Sequence, residues 1–148
     1  MTIREYRSTD QNACIQIFQK NIGTSFVMDE LPFFEHWLYN HSEYPFFVVQ
    51  EGHRIIACGG IYVDHRFNMA GLAWSMVDPK YQDQGVGTEF TIFRIKQIRK
   101  AFPDLPCFIE TSQHAKGFYQ KLGFRTKNVV KNGLADGLDK YFMELPAA

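Results

Sequence analysis

The sequence lacks a long hydrophobic run, a paired-cysteine motif and an excess of charge of either sign. Among its 148 residues, Lys plus Arg and Asp plus Glu each number 16, so the net charge does not indicate nucleic acid or an anionic membrane as a partner. No run approaches the ~18 apolar residues of a membrane span, and the N-terminal MTIREYRSTD has no apolar stretch of signal-peptide length. We therefore expect a cytoplasmic protein with neither nucleic acid nor membrane among its partners.

Cysteine and histidine are also sparse. The three cysteines, Cys14, Cys58 and Cys107, are widely spaced and odd in number, which predicts buried free thiols in a reducing compartment. His36 and His41 are five residues apart on a predicted helix and so do not share a face well, and the other histidines are scattered. No metal site is expected.

Aromatic residues, in contrast, make up 16% of the chain, with 14 Phe. This abundance predicts a bulky core or an aromatic-lined cleft. The hydrophobic and charged fractions, 45% and 22%, are ordinary for a soluble globular protein. The length suits a single domain over residues 1–148.

Hydrophobic periodicity predicts the element order β-α-α-β-β-β-α-β-α-β-β. The second helix, at about 29–40, would have an apolar face of Phe33, Phe34, Trp37 and Leu38. Glu51-Gly52-His53 reads as a hairpin turn, and the turn-rich NGLADGLD separates the last two strands. Several consecutive strands before the central helix indicate a mixed α/β domain rather than a doubly wound dinucleotide-binding fold.

The segment YQDQGVGTEF, residues 81–90, follows a strand that stops at Asp78-Pro79 and opens directly into a helix. Such a loop gathers unpaired backbone N–H groups at the positive end of a helix dipole, and Gly85 and Gly87 allow an anion such as a pyrophosphate to approach closely. The Walker pattern is excluded because it needs a Gly-Lys-Ser/Thr, and the dinucleotide fingerprint because position 90 is Phe.

Two motifs in register resemble the GCN5-related N-acetyltransferase (GNAT) family. Gln82 to Gly87 matches the acetyl-CoA loop Gln/Arg-x-x-Gly-x-Gly/Ala, preceded by the family's Val-Asp-Pro lead-in at 77–79. SQHAKGFYQKLGF, residues 112–124, matches a second family motif one helix and one strand later. The resemblance covers nearly the whole chain and implies the GNAT fold, a mixed, mostly antiparallel central sheet flanked by helices.

The resemblance implies an N-acetyltransferase that uses acetyl-CoA and moves its acetyl group directly to a primary amine. Tyr119 would protonate the departing CoA thiolate, since a phenol is protonated at neutral pH. Backbone groups of the strand that carries Ser75, Met76 and Val77 would pair with the pantetheine arm, and the amides from Asp83 to Thr88 would hold the pyrophosphate. The residues so placed at the cofactor are Ser75, Met76, Val77, Gln82, Asp83, Gln84, Gly85, Val86, Gly87, Thr88, Ser112 and Phe118.

Two positions depart from the family pattern. Ser112 stands where the second motif usually has Asn, and its shorter side chain reaches less far. Asp83 stands in the loop where a basic residue is frequent, which could weaken CoA binding. These departures keep open a non-catalytic acyl-CoA-binding module of the same fold as the alternative function.

Several roles remain open between chemistry and packing. Tyr119 is the general acid or a packing residue. Glu110, at the end of the buried strand, is either the base that takes a proton from the amine or an ordinary surface carboxylate. His114 is the second choice for the base. Cys107 is expected in the core. The aromatic residues of the second helix either cover the sheet or line the acceptor site. The acceptor amine is not identified, and the family resemblance allows a homodimer.

Overall fold

The computed structural model of the protein describes residues 1–40 and 43–147. The helices and strands follow the predicted order. They are β1 (Thr2–Glu5), α1 (Gln11–Lys20), α2 (Leu31–Tyr39), β2 (Phe46–Glu51), β3 (Arg54–Asp64), β4 (Met69–Val77), α3 (Val86–Ala101), β5 (Cys107–Thr111), α4 (Lys116–Lys121), β6 (Arg125–Ala135) and β7 (Leu138–Leu145).

The strands form one sheet in the order β1-β2-β3-β4-β5-β7-β6. β4 and β5 run parallel, and the other neighbouring strands run antiparallel. The expected mixed, mostly antiparallel sheet is confirmed. The β2–β3 hairpin turns where predicted, whereas β6 continues to Ala135 and the β6–β7 turn is shorter than the NGLADGLD segment suggested.

Helices cover the two faces of this sheet. α1 and α2 pack on one face, where Phe18 and Phe34 contact a core that includes Val48, Cys58 and Met76. On the other face, α3 and α4 cover two clusters, whose members include Val49, Ile56, Phe90, Ile98, Cys107, Ile109, Tyr119 and Met143. All three cysteines are buried free thiols, as expected.

The second helix differs from its predicted face. Phe34 and Leu38 are buried, but Phe33 is 69% exposed and Trp37 is only partly covered. Helical spacing alone does not fix how far a helix is rotated about its axis, so one edge of the predicted face turned to solvent. Within the described residues, none of the helices is long and apolar enough to cross a membrane.

Candidate active site

A bulge interrupts β4 near the centre of the sheet. Trp74 and Ser75 together lie opposite Gly59 on β3. Trp74 has a left-handed backbone (φ +52°), which is uncommon for a bulky residue, and its ring packs on Phe26 and Phe34. The bulge leaves Trp74 and Ser75 without regular partners on β3. Among the described residues Ser75 also lies beyond the part of β4 that pairs with β5, so its backbone on that side is open to an extended ligand.

A cleft lies beside the C-terminal end of β4, beyond its parallel contact with β5. The two strands pair at Ala70–Cys107 and Gly71–Phe108, and among the described residues their pairing extends no further. The cleft has a volume of about 580 Å³ and is also bounded by the α1–α2 connection, the loop before α3, and α4. Most of the residues predicted to bind a cofactor meet in it: Ser75, Met76, Val77, Gln82, Asp83, Gly85, Gly87, Thr88 and Phe118, together with Tyr119.

The loop before α3 has a tightly turned backbone. Asp83 (φ +63°) and Gly85 (φ +81°) are both left-handed, and α3 begins at Val86 directly after them. The first N–H groups of a helix have no acceptor within the helix. This end of the cleft therefore offers amide donors and a positive helix end to an anion.

Asp78 anchors the end of β4 to this loop. One carboxylate oxygen accepts from the Lys80 amide at 3.0 Å, and the other forms an ion pair with Lys20 at 3.1 Å. Burial alone would raise the pKa of Asp78, but these contacts outweigh it and hold the pKa below its ordinary value. The carboxylate is thereby committed to holding the loop.

Val77 is held by side chains from two directions. Its carbonyl oxygen accepts hydrogen bonds from the side-chain amides of Asn21 at 3.0 Å and of Gln82 at 3.3 Å. Gln82 therefore braces the strand end in addition to lining the cleft.

Tyr119 lies on the wall of the cleft opposite the bulge. It is 5% exposed, and its ring makes edge contacts with Phe118 and Phe124, with centroids at 5.0 and 5.6 Å. Phe118 lies over the start of α3, where its ring would be 3.5 Å from a Cβ at Gly87. The packing fixes the Tyr119 ring while the residue still lines the cleft.

Four predicted residues are not among those that line the cleft. Gln84 is exposed, and its side-chain amide donates to the Lys80 carbonyl, while Val86 is buried in the core. Ser112 is buried and donates to the Thr24 carbonyl at 2.8 Å. Glu110 forms an ion pair with Lys140 at 3.3 Å.

Ser112 nonetheless supports the cleft. Its hydrogen bond joins the segment before α4 to the α1–α2 connection, whose Thr24 and Ser25 form part of the wall. Its hydroxyl also accepts from the His114 amide at 3.2 Å. The shorter side chain at this position is thus used for a contact within the protein.

Two cationic residues of the cleft were not predicted. Lys121 is an exposed residue of α4 that lines the cleft together with Asp83, so α4 brings a basic side chain to the cleft. Arg94 on α3 is 1% exposed and also lines the cleft. The sequence signal that could have identified Arg94 is a charged residue within an otherwise apolar helical pattern.

No group of three or more His, Cys, Asp or Glu side chains suited to a metal ion is found in the described part of the chain. His41, one of the histidines weighed in the sequence, lies outside the described residues.

The model of the acetyltransferase (GNAT) domain family matches residues 42–126, which is more than half of the chain and includes both motifs and the cleft loop. The chain belongs to the GNAT acetyltransferase family. The inferred resemblance is confirmed, and family membership makes the protein an N-acetyltransferase. Among curated proteins, none matches the sequence.

Solved structures share the fold over almost the full chain at low identity. A Desulfovibrio desulfuricans protein assigned to the GNAT family is 19% identical, with a TM-score of 0.84 and 99% of each chain covered. The Escherichia coli ribosomal-protein-S18-alanine N-acetyltransferase is 22% identical (TM-score 0.78; 99% of this chain and 94% of that one). The protein yncA of Salmonella typhimurium, assigned as an acetyltransferase and solved with its cofactor acetyl-CoA, is 18% identical (TM-score 0.81; 100% and 94%).

Proposed function

We propose that this chain is a single acetyltransferase domain that binds acetyl-CoA and transfers the acetyl group directly to a primary amine. The observation that carries the proposal is the cleft itself. It brings the open bulge of β4, the free amides at the start of α3 and the Tyr119 side chain around one volume of about 580 Å³. The three buried free thiols agree with a reducing compartment, so we place the reaction in the cytoplasm.

The residues of the cleft fit the parts of an acyl-CoA. The unpaired backbone around Ser75 suits the extended, amide-containing pantetheine arm, as an edge strand suits another strand. The amides between Asp83 and Thr88 suit the pyrophosphate, with Lys121 adding a positive charge. Acetyl-CoA supplies the activated acetyl group as a thioester.

Tyr119 is the proposed proton donor. Transfer forms a C–N bond and breaks a C–S bond, and the sulfur takes the phenolic proton of Tyr119. The amine must lose a proton to a base or to water. We propose Glu110 as that base. Because its carboxylate is ion-paired with Lys140, the alternatives are water and His114, which lines the cleft.

Calorimetry with acetyl-CoA, paired with a turnover assay over a panel of primary amines, tests the proposal. We expect binding and turnover with at least one amine. Binding without turnover would favour the acyl-CoA-binding module, to which the departures at Asp83 and Ser112 point. Absence of binding at millimolar acetyl-CoA would exclude both functions.

The role of Tyr119 is tested by Tyr119→Phe. We expect kcat to fall by about 10²-fold, as for loss of a general acid, with little change in the Kd for acetyl-CoA. Tyr39→Phe, at an exposed residue of α2, is the matched control. An unchanged kcat in Tyr119→Phe would remove Tyr119 from this role.

A further inference from the structure

Asn21 is a buried polar residue on the wall of the cleft to which the proposed reaction assigns no task. It directly follows α1, is 4% exposed and lines the cleft together with Thr24 and Ser25. Its backbone is tied to the α1–α2 connection, since its carbonyl oxygen accepts from the Ser25 amide at 3.2 Å. A buried side-chain amide needs hydrogen-bond partners, and those partners decide what Asn21 can offer to a ligand.

Two carbonyl groups set the orientation of the Asn21 side chain. Its Nδ2 donates to the carbonyl oxygen of Ile17 at 2.9 Å and to that of Val77 at 3.0 Å. An amide oxygen has no proton to donate, so the NH2 group must be the end that faces these two oxygens. Both N–H bonds are therefore used within the protein, and Oδ1 is the atom left for other contacts.

The Oδ1 atom of Asn21 is an acceptor that remains open. No hydrogen bond among the described residues reaches it. It is not enclosed either, because the fully enclosed side-chain atoms without a partner in that part of the chain are the Nε atoms of Arg94 and Arg99. The cleft is the open space that Asn21 borders, so Oδ1 presents its lone pairs to a ligand there.

The neighbouring Val77 carbonyl is already occupied. The Asp78 amide donates to the Ile56 carbonyl on β3 at 2.8 Å. Successive residues of a strand point their N–H and C=O groups to opposite sides, so those of Val77 point away from β3. The Val77 oxygen has two lone pairs, and the side chains of Asn21 and Gln82 donate to it at 3.0 and 3.3 Å. An N–H group of a ligand beside Val77 thus needs a different acceptor.

We propose that Asn21 is a cofactor-binding residue whose Oδ1 accepts an amide N–H of the pantetheine arm of acetyl-CoA. This inference rests on the proposed binding of acetyl-CoA in the cleft. Val77 lies between the bulge at Ser75 and the loop proposed for the pyrophosphate, and the arm must cross this stretch. An amide N–H that leaves water without gaining a partner weakens binding. Asn21 supplies that partner in place of the Val77 carbonyl.

Truncation of the ligand separates contact with the arm from a general effect on the cleft. The two probes are coenzyme A and 3′-phosphoadenosine 5′-diphosphate, which keeps the pyrophosphate but lacks the pantetheine arm. The Kd of the truncated probe divided by that of coenzyme A, the arm ratio, measures the contribution of the arm. Calorimetry on the full chain should show that Asn21→Leu lowers the arm ratio by roughly 3- to 10-fold, as for loss of one hydrogen bond.

Asn21→Ala also removes both the donors and the acceptor, so it should lower the arm ratio by a similar factor and serves where leucine prevents folding. Asn12→Leu, at an exposed position of α1, is the matched control and should leave the ratio unchanged.

Asn21→Asp separates the acceptor from the two donors. A carboxylate keeps an oxygen at the site but cannot donate, so the carbonyls of Ile17 and Val77 lose this partner as they do in Asn21→Leu. Tm should therefore fall in both variants. The added negative charge acts on the phosphates of both probes and cancels in the arm ratio. We expect the ratio to stay within about twofold of wild type in Asn21→Asp, since an N–H bond to an ionised acceptor is at least as strong.

Equal falls of the arm ratio in Asn21→Leu and Asn21→Asp would overturn the inference, because bracing of Val77 alone would then explain the loss. An unchanged ratio in Asn21→Leu with a raised KM for the amine would overturn it as well and would assign Oδ1 to the acceptor. If the wild-type protein binds neither acetyl-CoA nor the two probes, the proposed function fails first. If acetyl-CoA binds and turns over while Asn21→Leu leaves the ratio unchanged, only the inference about Asn21 fails.

Discussion

A Cβ on Gly59 would lie 2.6 Å from Nη1 and 2.9 Å from Cζ of Arg94. The guanidinium thus occupies the space above β3 that any side chain at position 59 would need. Because Gly59 is the residue opposite the β4 bulge, the absence of a side chain there lets the cation reach Ser75. Gly59 and Arg94 form one structural unit.

Gly59→Ala should therefore displace Arg94 and strain the sheet. We expect a loss of about 1–3 kcal/mol in the free energy of unfolding, the usual cost of overpacking a core, measured by chemical denaturation. Adding Arg94→Met should restore part of that loss, since an uncharged, flexible thioether can repack. Additive effects of the two changes would contradict the direct relationship.

The charges at the mouth of the cleft should tune acetyl-CoA affinity in opposite directions. Asp83→Asn removes a negative charge, and Asn tolerates the left-handed backbone at this position, so we expect roughly two- to fivefold tighter binding. Lys121→Gln should weaken binding by a similar factor, because both residues are exposed and such charges act weakly. Calorimetry measures both, and 0.5 M salt should shrink both differences. Lys127→Gln on the exposed strand β6 is the control, and an effect there equal to that of Lys121→Gln would argue against a specific contact.

Gly85→Ala should damage the loop through its backbone. No atom lies within 4 Å of a Cβ at Gly85, so space is not the constraint, but φ is +81°. A left-handed conformation costs an L-residue roughly 1–2 kcal/mol, and we expect that loss in unfolding experiments together with weaker acetyl-CoA binding. Gly117→Ala, equally uncrowded but inside α4, should be neutral or stabilising. Equal effects at the two glycines would refute the conformational explanation.

Asp10 should make the free energy of unfolding depend on pH. Its carboxylate receives two hydrogen bonds from Arg4, at 2.8 and 2.9 Å, and one from the Arg7 amide at 2.9 Å. Burial alone would raise the pKa of Asp10, but these bonds outweigh it and hold the pKa below its ordinary value. Its stabilisation is therefore complete above the unfolded value of about 3.9 and is lost as the pH falls through the lower folded value.

Asp10→Asn should consequently lower the free energy of unfolding at pH 7 by roughly 1.5–3 kcal/mol, the range for hydrogen bonds to a charged group. The difference from wild type should narrow as the pH is lowered from about 5 to 2. Denaturant titrations at several pH values measure this. A difference that stays constant over that range would show that the ionised carboxylate is not the source of the stability.

The order of elements and the loop before α3 could be predicted from the sequence because each rests on local signals. Period-two and period-3.6 patterns identify strands and helices, and an Asp-Pro stop before a Gly-containing loop marks one end of the cleft. The second motif placed Tyr119 on the facing wall. These features depend on residues close together in the chain.

Features that depend on distant contacts could not be read in the same way. Arg94 is buried on α3, and its partner Gly60 is 34 residues away. Its burial depends on the bulge and on the missing side chain at Gly59. Lys121 could be placed at the cleft only once α4 was known to line it. The exposure of Phe33 depends on the rotation of α2 about its own axis.

The short parallel contact between β4 and β5 has a mechanical consequence. Because β4 and β5 pair only at Ala70–Cys107 and Gly71–Phe108 among the described residues, the sheet consists of two parts, β1 to β4 and β5 to β7, that are joined at one end. A molecule that fills the cleft contacts β4 in the first part and α4, which follows β5 in the chain, and so links the two parts. Binding in the cleft should therefore stiffen the whole sheet. Slow separation of β4 from β5 would then set how fast such a molecule leaves.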